Sequence, residues 1–389
     1  MRALILFTFL ALLSGCADQQ PAPKMGWALP LSTKGASIVD NNGHSVVLKG
    51  VNWFGAESGE FVVGGLDKQP VGKIADLVKA GGFNVVRLPW SNELVERNPK
   101  VAAQYLTANP WLKGKSALAV LDAVVTALTE RGIAVILDNH RSRGDWCCDG
   151  DHGDGLWHTP AYPEQKWMAD WLTMAKRYQH NPLVVGYELR NEIRSDHQLK
   201  LKPSWGDGNA STDWRLAANK MGNALQQLNP KALIIVGGID YQGNLNGLPQ
   251  HPVTLNQPNK LVYAVHDYSS WHDADAYTSD AAFAKSIEPR FGFLFTAHYP
   301  VPVMVTEWGG CTQKDENGKA CSQDRIQFPL MFAHYLNAHH LSWIWWPLNG
   351  TQSGGYNRHH GAVETYGILN PSWTGFANPK LMKVMQHTQ

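Results

Sequence analysis

The chain has 389 residues, a length at which a single α/β barrel domain still forms, and 44% of them are hydrophobic. Its formal net charge is +1, and the sequence has no block of Lys and Arg that would follow a phosphate backbone. Composition and charge therefore favour one large globular domain and exclude nucleic acid as an expected partner.

The N-terminus has the pattern of an export signal. A basic residue precedes an apolar run over residues 3–13, which is too short to span a bilayer, and the letters LSGC end the pattern. This ending resembles the lipobox of bacterial lipoproteins, which would leave Cys16 as a lipid-carrying N-terminus; an ordinary signal peptide with an incidental cysteine is the alternative. We expect a signal over residues 1–15, a polar tether over 16–25, and a protein held at the bacterial envelope by lipid alone, or secreted. Ala17 after the cysteine favours the outer membrane.

Strand-like and helix-like segments alternate along the rest of the chain. Two β-rich runs flank residues 41–43 (Asn-Asn-Gly), which predicts a small N-terminal β-hairpin. The apolar, strand-like runs are residues 46–53, 83–90, 133–140, 183–192, 232–238, 261–268, 301–309 and 341–349. Helix-period segments such as VGKIADLVKAG and ALAVLDAVVTALTERG lie between them.

This alternation predicts an α/β fold in which eight parallel strands close into a (β/α)8 TIM barrel over residues 26–389. A doubly wound open sheet is the alternative. Against it, no Gly-x-Gly-x-x-Gly motif follows the first strand. We expect no second domain.

Four cysteines follow the N-terminal segment of a chain that we expect to be exported and therefore oxidised. The short polar segment GGCTQKDENGKAC favours a disulfide between Cys311 and Cys321. Cys147 and Cys148 are then a vicinal disulfide or free thiols; zinc is the rival interpretation, but no Cys-x-x-Cys accompanies them. The acidic segment 149–155 misses the EF-hand spacing, which favours a structural or substrate-side loop over a calcium site.

Polar side chains end most of the predicted strands, where the active site of a barrel lies. They are Arg87, His140, Asn191 with Glu192, His266 with Tyr268, Glu307 and Trp346. Glu188 and Glu192 cannot act as a pair, because four residues of extended strand separate them by roughly 13 Å. We expect Glu188 to be structural, with Arg87 or Arg190 as its partner. Glu192 should instead work with Glu307, which ends a different strand.

From about Gly43 to Trp346, the order and spacing of VRLPW, ILDNH, LRNE, VHDY, VTEWG and WWPLNG resemble glycoside hydrolase family 5, a cellulase-type group of retaining (β/α)8 glycosidases. The resemblance implies that Glu192 is the acid/base and Glu307 the nucleophile. It also implies substrate-site roles for Arg87, His140, Asn191, His266, Tyr268 and Trp346. Trp53, at a predicted strand end, is a further candidate for stacking on sugar.

The resemblance implies hydrolysis of a β-linked glucan or related polysaccharide by a monomer that needs no metal or organic cofactor. The sequence departs from the common family pattern in two places: Ile193 replaces the proline that usually follows the acid/base, and Arg190 stands where a histidine is frequent. Together with the segment GDWCCDGDHGDG, these departures resemble a plant-like branch of the family. The alternatives are an exo-β-glucosidase or β-mannanase on the same site and a non-catalytic carbohydrate-binding surface lipoprotein. A metallohydrolase using His140 and His266 is a further one, although the first strand lacks His-x-His.

Overall fold

The computed structural model describes residues 26–148, 153–311 and 319–388. The predicted signal, Cys16 and the tether lie outside these ranges, as do parts of the acidic segment and of the loop between the two distal cysteines. Within the described ranges, no helix combines the length and the apolar character needed to cross a bilayer.

A small antiparallel sheet precedes the barrel. Strand β1 (Ser32–Lys34) pairs with β2 (Ser37–Val39), so the hairpin turn lies before the predicted one at residues 41–43. The chain does reverse at the predicted place, because the carboxylate of Asp40 accepts backbone N–H groups from the turn. It then pairs through an isolated bridge rather than a strand. The predicted hairpin exists, and the position of its turn is corrected.

Eight parallel strands close into a barrel, and the predicted fold is confirmed. They are β3 (Lys49–Asn52), β4 (Val85–Ser91), β5 (Ala134–Arg141), β6 (Val184–Glu188), β7 (Leu233–Gly237), β8 (Leu261–Tyr268), β9 (Val303–Gly309) and β10 (Ser342–Trp345). Neighbours around the barrel follow chain order, and β10 closes it by pairing with β3. Every predicted strand run contains one of these strands, or all but a residue or two of it.

Helices surround the barrel. They are α1 (Val71–Ala80), α2 (Asn92–Arg97), α3 (Ala117–Thr129), α4 (Glu164–Tyr178), α5 (Trp214–Leu228), α6 (Asp280–Ile287), α7 (Phe293–Thr296), α8 (Gln323–Ala338) and α9 (Pro379–His387). Helix α1 buries Val71, Ile74, Ala75 and Val78, the spacing of one helical face. Side-chain caps begin several helices; the carboxylate of Asp213, for example, accepts the Leu216 N–H at the start of α5.

The apolar core has two parts, and their division determines where polar groups can lie. In β5, Ile136 belongs to a cluster inside the barrel, whereas its neighbour Val135 belongs to the cluster that faces the helices. The interior cluster includes Leu31 and Ile38 from the N-terminal segment, which therefore close the amino-terminal end of the barrel. The carboxyl-terminal end remains available for polar side chains.

A β-bulge in β9 changes which side chains face the barrel axis. Val305 lies opposite Val265, but Glu307, not Thr306, lies opposite His266. The pairing with β10 shifts at the same place. Thr306 is therefore the extra residue of the bulge. As a result Thr306 and Glu307, although adjacent in sequence, both make hydrogen bonds within the barrel.

Candidate active site

A buried arginine connects the strand ends. The Nε of Arg87 donates to Glu188 at 2.7 Å, Nη1 donates to Glu307 at 2.6 Å and to Asn52 at 2.9 Å, and Nη2 donates to the side-chain oxygen of Asn191 at 2.8 Å. The expected pairing of Glu188 with Arg87 is present. Arg87 also fixes the amide of Asn191, whose nitrogen must then face away from the guanidinium.

Arg190, the other partner considered for Glu188, instead binds Asp154 in the neighbouring loop. Its Nη2 donates to Asp154 at 2.6 Å and its Nη1 donates to Asn139 at 3.0 Å. Burial acts to raise the pKa of Asp154, but Arg190 and then Arg141 hold this pKa below its usual value. Asp154, at the described end of the acidic segment, is thus a structural carboxylate paired with arginines.

Two glutamates face each other at the carboxyl end of the barrel. Glu192 follows β6 with φ +44°, a left-handed backbone conformation that is uncommon outside glycine, and Glu307 lies in β9. One oxygen of each carboxyl group and a ring nitrogen of His266 all lie within 4.8 Å of one another. His266 Nδ1 is 2.9 Å from Glu192 Oε1, and the Tyr268 hydroxyl donates to Glu307 Oε2 at 2.9 Å.

Burial acts on both carboxyl groups, but their partners differ. Burial raises the pKa of Glu192 to about 7, and it likewise raises the pKa of Glu307 to about 7. Glu307 receives hydrogen bonds from cationic Arg87 and from Tyr268, whereas Glu192 faces His266, whose pKa burial lowers to about 4. Because two like charges this close disfavour double ionisation, the arrangement favours an ionised Glu307 beside a protonated Glu192.

An aromatic platform borders the two glutamates. The Trp346 ring stacks on the His140 ring at 5.4 Å with 9° between the planes, and on the Phe54 ring at 5.4 Å. His140 Nδ1 lies 2.6 Å from Asp138, and burial lowers the pKa of His140 well below its usual value, so the ring is neutral. A groove of about 680 Å³ opens here, and Trp346 and Tyr268 line it. Flat aromatic rings beside an open groove suit the faces of pyranose rings.

Trp53 does not join this platform. Its side chain is fully buried, and its indole nitrogen donates to the Gly64 carbonyl at 2.9 Å inside the core. The ring packs where no ligand reaches it, so the candidate sugar contact at Trp53 is corrected to a core residue. The other strand-end residues named from the sequence converge on the site.

Two disulfides are present among the described residues. Cys311 is joined to Cys321, so a covalent link closes the loop that follows β9. Cys147 is joined to its neighbour Cys148, and their sulfur atoms lie 3.6 Å and 3.5 Å, respectively, from the side-chain nitrogen of Asn191. Of the two states that the sequence left open for this pair, the structure has the vicinal disulfide.

Among the described residues, two groups of side chains bring metal-ligating atoms close together: His140 with the vicinal cysteines, and Glu192 with His266 and Glu307. In the first group the sulfur atoms are bonded to each other. In the second, the closest contact is a hydrogen bond between His266 and Glu192. We therefore assign neither group as a metal site.

Among the buried polar residues of the site that sequence reasoning missed are Asp138, Thr306 and Gln242. Asp138 could have been found, because it precedes His140 by two residues in β5 and alternation gives both the same inward direction. Thr306 and Gln242 had no such signal. Thr306 enters the site through the bulge, and Gln242 lies in a loop after β7.

The closed barrel and the two facing carboxyl groups define a glycoside hydrolase, and a separation within 4.8 Å is that of the retaining class rather than the wider spacing of inverting enzymes. Residues 39–352 match the model of the cellulase family, glycosyl hydrolase family 5. The chain belongs to this family.

Named relatives agree with this assignment. An endoglucanase of Paenibacillus polymyxa is 35% identical over 364 residues, which cover 90% of this chain and 84% of the relative. The major extracellular endoglucanase of Xanthomonas campestris pv. campestris is 31% identical, over 97% of this chain and 73% of the relative. The solved catalytic domain of the Xanthomonas campestris enzyme superposes with a TM-score of 0.76 at 29% identity, covering 92% of this chain and 99% of that domain.

Proposed function

We propose that the protein is an endoglucanase that cleaves β-linked glucan chains by double displacement, with Glu307 as nucleophile and Glu192 as acid/base. The observation that carries this proposal is that an oxygen of Glu192 and an oxygen of Glu307 lie within 4.8 Å of each other, while Arg87 and Tyr268 donate to Glu307 rather than to Glu192. The endoglucanase relatives support a glucan as substrate.

In the first step, Glu307 attacks the anomeric carbon while the bond from that carbon to the leaving oxygen breaks. Glu192 gives its proton to that oxygen. In the second step, Glu192 takes a proton from water, the water oxygen bonds to the anomeric carbon, and the bond to Glu307 breaks. The same two groups thus return to their starting protonation states.

The remaining side chains bind the reacting sugar or hold the two glutamates. Trp346 offers its ring as the floor of the sugar site, and Asn191 and His140 present polar groups beside it. Arg87 and Tyr268 orient Glu307, and His266 contacts Glu192. In this proposal Trp53 has no sugar contact.

A panel of cello- and manno-oligosaccharides tests the substrate. We expect cleavage of cello-oligosaccharides at internal bonds, with products of several chain lengths and, by NMR, the β-anomer formed first. Release of single glucose units from one end would indicate the exo-β-glucosidase instead. Faster cleavage of the mannan series would indicate a β-mannanase, and the absence of any cleavage would favour a binding protein.

We also propose that the chain is exported and anchored by lipid on Cys16, most simply at the outer membrane, and that it acts as a monomer. Cys16→Ser should move the protein from the membrane fraction to the soluble fraction, because acylation needs the cysteine sulfur. Ser14→Ala, which keeps a small residue in the lipobox, is the matched control and should stay with the membrane. A Cys16→Ser protein that remains equally firmly in the membrane fraction contradicts the anchor.

A further inference from the structure

An unusual turn carries one of the residues that the sequence did not reveal. Asp240, Tyr241 and Gln242, which begin three residues after the end of β7, have φ values of 53°, 58° and 59°, so three successive non-glycine residues are left-handed. Such conformations persist only where surrounding contacts hold them, and they concentrate at functional sites. Here the N–H of Tyr241 donates to the Ile193 carbonyl at 3.1 Å, which fastens the turn beside the residue after Glu192.

The side chain of Gln242 is fully buried and points from this turn to the proposed acid/base. Its amide oxygen accepts the backbone N–H of Glu192 at 2.8 Å. That contact fixes which end of the amide is oxygen, so its nitrogen donates on the other side, to Glu188 at 3.0 Å and to the Thr306 hydroxyl at 3.3 Å. Gln242 therefore supports the left-handed backbone of Glu192 and connects it to the centre of the barrel.

Thr306 is the second buried member of this network. Its hydroxyl oxygen lies 3.0 Å from Glu188 Oε1 and 3.2 Å from His266 Nε2, as well as within reach of the Gln242 nitrogen. Both carboxyl oxygens of Glu188 accept hydrogen bonds from the guanidinium of Arg87, so this carboxylate offers no donor to Thr306. The single hydroxyl proton of Thr306 must therefore point to Glu188.

The orientation of the Thr306 proton also determines the directions of the two hydrogen bonds made by the His266 ring. Because the Thr306 proton is directed to Glu188, Thr306 can only accept from His266, so the proton of the neutral imidazole is on Nε2. His266 Nδ1 then carries a lone pair and faces Glu192 Oε1 at 2.9 Å. That contact is favourable only when Glu192 donates, which means when Glu192 is protonated.

We propose that Gln242 and Thr306 are positioning residues that keep the proton on Glu192 in the resting enzyme: Gln242 holds its backbone, and Thr306 fixes the tautomer of His266. The inference rests on the proposed role of Glu192 as acid/base. Gln242 and Thr306 are both fully buried. Thr306 acts on Glu192 through His266, whose Nδ1 lies closer to Glu192 Oε1, at 2.9 Å, than to Glu307 Oε2, at 3.7 Å.

The charged and titratable groups around this pair come from five strands or their ends. Those acting on Glu192 or His266 are Arg87, Asp138, His140, Glu188, Arg194, Tyr268 and Glu307. Substitution of a neutral threonine leaves all of these charges in place. A change in the pH profile of such a variant therefore reports on the hydrogen bond that was removed.

The pH dependence of kcat/KM on cello-oligosaccharides tests the proposal in Thr306→Val and Thr306→Ser. Valine cannot accept from Nε2, so His266 is free to place its proton on Nδ1 and donate to an ionised Glu192. The alkaline limb should then move to lower pH by about one unit. Serine keeps the hydroxyl and should keep the wild-type limb. Thr351→Val, which removes another buried hydroxyl far from the glutamates in sequence, is the matched control and should not move the limb.

The readouts separate positioning from a general loss of stability. In Thr306→Val, kcat on cello-oligosaccharides should fall about tenfold, a part of the 10²–10⁴ that acid–base catalysis supplies, with KM little changed. An aryl cellobioside with an acidic phenol needs little acid help, so its cleavage should be largely preserved. An unshifted alkaline limb in Thr306→Val, or an equal shift in Thr306→Ser, overturns the proposal.

Gln242→Leu tests the other contact. It removes the acceptor of the Glu192 N–H and the donor to Glu188, so we expect a larger loss of kcat with the same dependence on the leaving group. If this variant does not fold, Thr306→Val still decides. Failure of the proposed function is recognised differently: Glu192→Ala would then lose activity equally on activated and unactivated substrates, whatever the Thr306 variants show.

Discussion

Glu307→Gly is expected to abolish turnover of every substrate, including aryl glycosides with good leaving groups. The substitution removes the group that forms the bond to the anomeric carbon, and no leaving group compensates for a missing nucleophile. We expect a loss of about 10⁴-fold or more in kcat, the scale seen when other hydrolases lose their nucleophile. Glu130→Gly, at the exposed end of α3, removes a glutamate outside the barrel and should leave kcat unchanged.

The stereochemistry of rescue gives this prediction a second readout. Azide in the space left by the Glu307 side chain would attack the anomeric carbon from the same face as the missing carboxylate, so NMR should show the α-glycosyl azide. The wild-type enzyme should release the β-anomer. A wild-type product of inverted configuration would mean that a water molecule lies between the carboxyl groups, and the assignment of Glu307 would fail.

The fold and most of the site could be predicted because both depend on regular patterns. Each predicted barrel strand is a mainly apolar run of seven to ten residues, and the polar residue near its end is visible as a break in that run. Barrel geometry then brings together residues as distant in sequence as Arg87 and Glu307, which the structure places 2.6 Å apart. The sequence pattern therefore predicted that these strand-end residues come together, but it did not predict their individual hydrogen bonds.

What could not be predicted depends on local departures from regular structure. Strict alternation would point Thr306 away from the axis if Glu307 faces it, and only the bulge allows both to face inward. The left-handed turn that carries Gln242 consists of Asp, Tyr and Gln, none of which marks three successive positive φ values in a sequence. The predicted sugar contact of Trp53 was wrong for a related reason, because the position of Trp53 at a strand end did not reveal the loop that covers its ring.

Arg87 contacts Glu307, which the sequence predicted as a site residue, and through Glu188 it is connected to Thr306, which the sequence did not predict. It neutralises part of the negative charge of Glu188 and Glu307, and through Glu188 it fixes the direction of the Thr306 hydroxyl. The charge of Arg87 favours the ionised form of Glu307, and it also acts to lower the pKa of Glu192. In our proposal the hydrogen bonds through Thr306 and His266 oppose that effect on Glu192. Burial raises both pKa values to about 7, and we expect the different hydrogen bonds of the two carboxyl groups to separate them.

Glu192→Ala should lose activity in a way that depends on the substrate. Without the acid, cello-oligosaccharides should be cleaved about 10²–10⁴-fold more slowly, because the leaving oxygen departs unprotonated. An aryl cellobioside with an acidic phenol should still form the glycosyl-enzyme quickly, and this intermediate should accumulate because no base activates water. Azide needs no base, so it should restore turnover and give the β-glycosyl azide.

The pH profile of the same variant completes the prediction. In the wild type, kcat/KM should fall on the alkaline side as Glu192 loses its proton, near pH 7, since burial raises its pKa to about 7. It should fall on the acid side as Glu307 becomes protonated. In Glu192→Ala, measured with the activated substrate, the alkaline limb should disappear while the acid limb stays, because only the acid has been removed. If the acid limb disappears instead, Glu192 is the ionised partner and the two roles must be exchanged.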